Sequence, residues 1–287
     1  MSTAEGSYAE AIFERHEHDS SDVAARSPLT ERPAQTSETL VDSLSLVLPA
    51  YNEEESIEEA VRRSRAALAK YCDTFEVIVI NDGSSDNTGQ VLESLQKEYS
   101  DVRVVHHPQN KGYGAALCSG LYSARFRYVS FMDSDLQFDP EEFHTLLRWA
   151  SDYDIVAGYR VDRADPWIRK FNAWAWNSLV RLVLKVKVRD IDCAFKVFRR
   201  EVFEAIKLES VGAMVNTEIF ARSRMHGFKL KEIPVTHFPR QHGEQTGADL
   251  AVIAKAFREL FAIQGKLRRQ HKAFRRHGVL APESQDQ

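Results

Sequence analysis

Cysteine is scarce: Cys72, Cys118 and Cys193 are the only three in 287 residues, and no two of them form a CxxC pair. Such spacing argues against a disulfide framework or a zinc site and fits a reducing compartment. Long apolar runs are also missing. The longest candidate, AWAWNSLVRLVLKVKV, is broken by Arg181, Lys185 and Lys187, so the chain is not expected to cross a bilayer by itself. The first residues, MSTAEGSYAE, have neither a basic start nor an apolar stretch, and no signal peptide is expected. Charge of one sign is lacking too. A formal net charge of −4 points away from a nucleic-acid binder and from an acidic tail protein. Neither a GxGxxG fingerprint nor a GxxxxGK[ST] loop occurs, which argues against dinucleotide and P-loop chemistry.

What is present is enough apolar material, 43% of residues, to bury one large core or two modest ones. Residues 1–42 are rich in Ser, Thr, Ala, Glu and Asp without apolar period and read as a disordered leader. Within them, HEHD at His16–Asp19 reads as a solvated patch rather than a metal cluster. From Leu44 the pattern changes. LSLVLPAY, EVIVIND, VRVVHH, RYVSFMDSD and YDIVAGYR read as strands, with helical spacing between them. Strand and helix alternating over short connections predict a mostly parallel α/β sheet covered on both faces. No internal repeat is found, and one domain over 43–247 is expected, followed by an amphipathic helix and basic tail over 248–287.

Polar clusters fall repeatedly just after the expected strands: PAYNEEE, NDGSSDNT, NKGYGAAL and DSDLQ. Open α/β sheets bind ligands beyond the carboxyl ends of their strands. Asp133 and Asp135, two residues apart, should repel unless a cation lies between them. Mg²⁺ or Mn²⁺, which favour carboxylate and phosphate oxygens, would turn that repulsion into coordination and could bridge a diphosphate.

These four clusters, together with DIDCAFKVFRR, resemble glycosyltransferase family 2 and its GT-A fold, and most of all the dolichyl- or polyprenyl-phosphate mannose and glucose synthases. The likeness runs from about Leu44 to the region of Gly247. It implies a nucleotide-sugar donor, GDP-mannose or a UDP-hexose, with Pro49, Tyr51, Glu53 and Gly112 lining its pocket and Asp82 bonding the base. It implies that Asp133 and Asp135 meet the ribose and the metal, with Gln137 as the third metal position. It implies inversion at the sugar carbon and a polyprenyl phosphate acceptor held by cations, of which Arg160, Arg163, Lys196 and Arg240 are the candidates. Arginine forks suit phosphate oxygens.

The acceptor side departs from the pattern. Ala194 stands where the synthases usually have Gly, Asp192 where a neutral polar residue is usual, and Gln245–Thr246 where many members have Ser-Lys. Asp192 as general base for a hydroxyl acceptor is therefore a second reading. An inactive lipid-binding scaffold is a third, and the intact acidic clusters argue against it. A nucleotidylyltransferase would want a basic glycine-rich loop where Asn52–Glu55 is acidic.

Contact with an anionic membrane surface is expected from two segments, which would make the chain cytoplasmic and peripheral. Trp167–Val188 mixes Trp174, Trp176, Leu179 and Val183 with Arg181, Lys185 and Lys187, and KLRRQHKAFRRH concentrates Lys266, Arg268, Arg269, Lys272, Arg275 and Arg276.

Overall fold

The computed structural model describes residues 39–161, 178–184, 186, 188–239 and 258–269. The apolar runs become strands: β1 (Val41–Ala50), β2 (Cys72–Asn81), β3 (Val102–His106), β4 (Tyr128–Phe131), β5 (Ile155–Arg160), β6 (Lys196–Arg199) and β7 (Leu230–Val235). Leu44, Leu46, Val47 and Leu48 are all fully buried. An uninterrupted apolar run is what a strand covered on both faces requires.

Among the described residues the helices include α1 (Ile57–Tyr71), α2 (Thr88–Glu98), α3 (Tyr113–Ser123), α4 (Phe143–Leu147), α5 (Glu201–Ala205) and α6 (Val215–Met225). Helix α1 buries Ile57, Ala60, Val61, Ser64, Ala67 and Leu68, the stripe of a 3.6-residue period. Glu58 and Glu59 in its first turn and Lys70 in its last suit the helix dipole. Each large side chain in that stripe contributes about 1.5–3 kcal/mol through burial.

The sheet order is β3-β2-β1-β4-β6-β5-β7. Strands β1, β2, β3 and β4 run parallel, and β6 is antiparallel to both β4 and β5, while β7 is parallel to β5. The expected mostly parallel α/β architecture is the one observed. The antiparallel β6 was not foreseen, because KVFR carries a lysine where a buried strand normally has none.

Two consequences fix where a site can form. The chain leaves β1 towards β2 on one side, while β4 adds on the other, so the order reverses between β1 and β4 and opens a crevice beyond their carboxyl ends. Since β6 runs backwards, its first residue, Lys196, pairs with Phe131 at the end of β4. The turn before β6 thereby arrives at the same edge as the ends of β1, β4 and β5.

Candidate active site

The turn after β4 carries both candidate acids. Met132 N donates to Val47 O at 3.1 Å, extending the β1–β4 pairing by one residue. Ser134 is buried and donates its hydroxyl to Pro49 O at 2.8 Å. Leu136 then takes a positive φ of 62°, and Gln137 N donates to Asp135 Oδ1 at 3.1 Å. The polypeptide is thus turned tightly at the mouth of the crevice, with Asp133 and Asp135 on either side of the fastened serine.

The Asp133 carboxyl is pushed up to about 7, first by burial and then by the negative charge of Asp135. The nearby Tyr113 hydroxyl and the charges of Lys196 and Arg160 work in the opposite direction. A carboxylate pair of this kind ionises at a cost in the absence of a cation. Among the described residues no group of three or more His, Cys, Asp or Glu converges into a metal cage. A two-carboxylate set nevertheless fits Mg²⁺ or Mn²⁺, which are commonly held by one or two carboxylates together with substrate phosphates. Gln137 commits its side-chain NH₂ to Phe238 O at 3.0 Å, and its own carbonyl accepts from Phe238 N at 2.8 Å. It thereby ties the acidic turn to the segment after β7.

The loops after β1 and β2 are laced together beside this turn. Asn52, at φ 54°, accepts from Ser85 N at 2.8 Å while its own amide donates to Ser84 Oγ at 3.0 Å. Glu53 N donates to Thr88 Oγ1 at 2.9 Å, and Glu54 accepts from Asn87 N at 2.8 Å. The Glu53 carboxylate accepts from Ser56 Oγ at 2.7 Å, and its carbonyl accepts from Ile57 N, so this acid also organises the start of α1. Tyr51 is 47% exposed beside it. Pro49 is buried, held through its carbonyl.

On the donor side, Asp82 and Gly112 are both engaged by protein groups. Asp82, expected to bond a base, is buried and turned inward. Its Oδ1 accepts from Lys111 N at 2.9 Å and lies 2.6 Å from His107 Nδ1, while Oδ2 accepts from Gly112 N at 2.8 Å. It holds the NKGYG loop. Gly112, expected to approach the nucleotide, gives its amide to Asp82 and sits at φ 97°, where an added Cβ would stand 2.7 Å from Val211 O. The first amides of α3 likewise go to protein: Gly114 N and Ala115 N both donate to Val211 O. The glycines permit backbone to pack on backbone.

On the other side of the crevice, Arg160 makes a two-point bond to Asp190, Nε to Oδ2 at 2.7 Å and an Nη to Oδ1 at 2.9 Å. Burial works to lower the guanidinium, but the Asp190 carboxylate outweighs it and the net direction is up. Lys196, expected at an acceptor phosphate, is fully buried instead. Its ammonium donates to Ile191 O at 3.3 Å, to Cys193 O, and to Asn216 Oδ1 at 2.9 Å. An ammonium has three donors, and all three are used. Burial lowers the group to about 8 against the raising effect of Cys193, Asp190, Asp192 and Asp133. Lys196 holds the turn before β6, and that turn presents Asp192 exposed at the crevice. Arg163 and Arg240 lie outside the described residues.

Tyr113, Asn216, Asp190 and His107 belong to this constellation but were not among the candidates, although Asp190 opens DIDCAFKVFRR and Tyr113 lies in NKGYGAAL. The Tyr113 hydroxyl is raised well above its ordinary range, first by burial and then by the nearby Asp133 carboxylate. Asn216 and His107 lay in no quoted site motif.

The two segments expected at a membrane pack partly on the core. Residues 178–184 are helical, with Val180 and Leu184 buried and Leu182 78% exposed. Residues 258–269 are helical, with Leu260, Ile263 and Leu267 buried, Gln264 bonded to Val183 O, and Lys266 paired with Glu209. No helix among the described residues is long and apolar enough to cross a membrane. Trp174, Trp176, Lys185, Lys187, Lys272, Arg275 and Arg276 lie outside the described residues. A cavity of about 920 Å³, lined by Ile155, Leu182, Val186, Phe220, Phe228 and Leu230 among others, contains none of the candidate acids.

Comparison with known proteins follows the same outline. Residues 45–207 match the model of glycosyl transferase family 2. The chain is 32% identical over 219 residues to dodecaprenyl-phosphate galacturonate synthase of Rhizobium johnstonii, spanning 75% of this chain and 63% of that protein. It is 36% identical over 223 residues to glycosyltransferase AglD of Haloferax volcanii, spanning 74% of this chain and 36% of that protein. The match thus covers less than two thirds of either relative's length. Glucosyl-3-phosphoglycerate synthase from Mycobacterium tuberculosis, solved with phosphoglyceric acid, shares the fold at a TM-score of 0.62 and 22% identity, over 82% of this chain and 85% of that one. The same enzyme with Mn²⁺, uridine diphosphate and phosphoglyceric acid aligns at 0.60 and 22% identity, over 79% and 78%.

Proposed function

The chain belongs to glycosyl transferase family 2, and we propose that it is a metal-dependent, inverting glycosyltransferase that moves a hexose from a nucleotide-sugar to a polyprenyl phosphate at the cytosolic face of a membrane. The observation that carries this reading is the Asp133–Asp135 pair, fastened by Ser134 at the β1–β4 crevice and mutually repelling until a cation arrives. The name of one sequence relative, a dodecaprenyl-phosphate galacturonate synthase, supports the acceptor class. The Mn²⁺ and uridine diphosphate bound by the structural relative support the donor class.

In the reaction an acceptor oxygen attacks the anomeric carbon, and the bond from that carbon to the diphosphate breaks with its electrons leaving on the diphosphate. Asp133 and Asp135 would hold Mg²⁺ or Mn²⁺, which when bound supplies the positive charge that offsets the leaving diphosphate. The protein's own part is positioning. The laced loops at Asn52–Glu54 and Ser84–Thr88 form one wall of the donor pocket, with Tyr51 beside it. The turn before β6 and the Arg160–Asp190 pair form the acceptor wall. A phosphate acceptor is already anionic and needs no general base, only cations that orient it. With the Arg160 fork engaged by Asp190, Arg163 and Arg240 become the main candidates for that task.

The exposure of Asp192 favours one second reading, in which it deprotonates a hydroxyl acceptor. The distinguishing experiment is nucleoside diphosphate release with Mn²⁺ from GDP-mannose, UDP-glucose and UDP-N-acetylglucosamine, each with and without polyprenyl phosphate in detergent. Release that requires the lipid supports the synthase reading. Release driven by hydroxyl compounds and indifferent to lipid overturns it.

A further inference from the structure

One buried carboxylate and one buried imidazole join the loop after β2 to the loop that opens α3. Asp82 follows β2 directly, and its amide donates to Ala50 O at 2.9 Å, so it stands at the end of β1 beside the laced wall of the donor pocket. Its Oδ1 accepts from Lys111 N at 2.9 Å and its Oδ2 from Gly112 N at 2.8 Å. An ionised carboxylate only accepts, so the 2.6 Å contact to His107 puts the ring proton on Nδ1. The other ring nitrogen, Nε2, lies 2.9 Å from Ser119 Oγ on α3. The bonds close a circuit that runs from Asp82 through His107 and Ser119 into α3, and back through Gly112 to Asp82. A ring held at both nitrogens is not free to turn, and the carboxylate it holds keeps one orientation. Of the roughly four lone-pair sites of a carboxylate, protein donors take three on Asp82. The remaining site, on Oδ2, can accept one further N–H. The Asp82 side chain is 4% exposed, which leaves room for a single contact.

We propose that His107 is a positioning residue for the donor nucleotide: anchored on α3 through Ser119, it holds Asp82 so that the unused acceptor site meets a ring N–H of the base. The inference rests on the reading of the crevice as a nucleotide-sugar site with Asp82 at its base end. His107 touches no substrate. It acts by keeping the carboxylate in place before the nucleotide arrives, which spares binding the cost of ordering it.

The experiment measures binding of UDP, GDP and inorganic pyrophosphate to the full chain with Mn²⁺, for the wild type, His107→Leu and His107→Asn. Pyrophosphate carries the diphosphate without a base. His107→Leu removes both ring bonds, whereas His107→Asn can keep an N–H donor where Nδ1 stood. Thermal unfolding shows that each affinity is read on folded protein. His107→Leu is expected to weaken the nucleotide that the wild type binds by about tenfold or more, as loss of the group behind a ligand-holding side chain commonly does. Pyrophosphate should stay within about twofold, and His107→Asn should recover most of the nucleotide loss. Nucleotide affinity unchanged in His107→Leu, or an equal loss for nucleotide and pyrophosphate, would overturn the inference. Imidazole NMR spectra of the wild type with Mg²⁺ make the test independent of any substitution. Nucleotide is expected to shift the His107 Nδ1 proton, and an unmoved resonance would overturn the inference. A wild-type chain that binds neither UDP nor GDP with the metal would instead overturn the reading of the crevice on which it stands.

Discussion

Ser134 donates its hydroxyl to the Pro49 carbonyl at 2.8 Å, binding the acidic turn after β4 to the last residues of β1. This contact lets two carboxylates occupy one crevice. Without it the turn could relax and the acids move apart into water. With it, Asp133 is recessed and feels Asp135 directly. The glycosyltransferase reading depends on that enforced closeness.

Asp135→Asn is expected to lower turnover by on the order of a hundred- to a thousandfold, as removal of one group facing transition-state charge commonly does. The fold should survive, because the substitution removes a repulsion and Asp135 is not part of the core. Steady-state rates and a thermal melt check the two halves. Near-wild-type turnover would remove the acid from the site.

Stability should depend on pH through Asp133. Its folded-state value, about 7, lies above the ordinary unfolded value near 3.9. A raised acid binds its proton more tightly in the folded state, so its contribution is fully present below about pH 4 and is lost as pH rises to 7. The metal-free protein is therefore expected to lose stability across that window from this group, and Asp133→Asn should flatten the loss. Added Mn²⁺ should raise the melting temperature more at pH 7.5 than at pH 5.5, since the ion and the proton compete. Melts at the two pH values, with and without metal, give the sign.

Arg160→Ala should destabilise the protein by about 3–5 kcal/mol, because it strands a buried carboxylate. The pair is well covered, at 14% and 9% side-chain exposure. Arg160→Leu combined with Asp190→Asn should recover part of that loss. Denaturant unfolding of the single and double variants measures it. Equal stabilities would mean that the pair contributes no net energy.

Gly114→Ala should cost about 1–3 kcal/mol, as overpacking does. A Cβ there would stand 2.4 Å from Ser210 O and 2.6 Å from Gly212 O, both backbone atoms. The strain falls next to Tyr113, so weaker Mn²⁺–nucleotide binding should accompany the lower melting temperature.

The residues that were legible in the sequence share a physical property, and so do those that were not. Strands β1, β2 and β4 announce themselves because strands covered on both faces are continuous apolar runs. The acids after β4 stand out because like charges so close require a reason. By contrast, KVFR hides a strand because its lysine finds its hydrogen-bond acceptors in carbonyls that only the folded chain assembles. Asp82 reads as a surface turn residue, yet the amides that bury it come from residues 111 and 112. Arg160 reads as a free phosphate fork, yet Asp190, thirty positions on, occupies it. Asn216 was invisible because α6 is buried at every position from Val215 to Ser223, which erases the one-sided periodicity that marks a helix and its exposed polar residues.

The measurement that bears most directly on the central claim is calorimetric titration of UDP and of GDP into the wild-type chain, with and without Mn²⁺. The account predicts that one nucleotide binds with a measurable heat only when the metal is present, and that Asp133→Asn abolishes the signal. Equal binding with and without metal, or binding that survives Asp133→Asn unchanged, would contradict it.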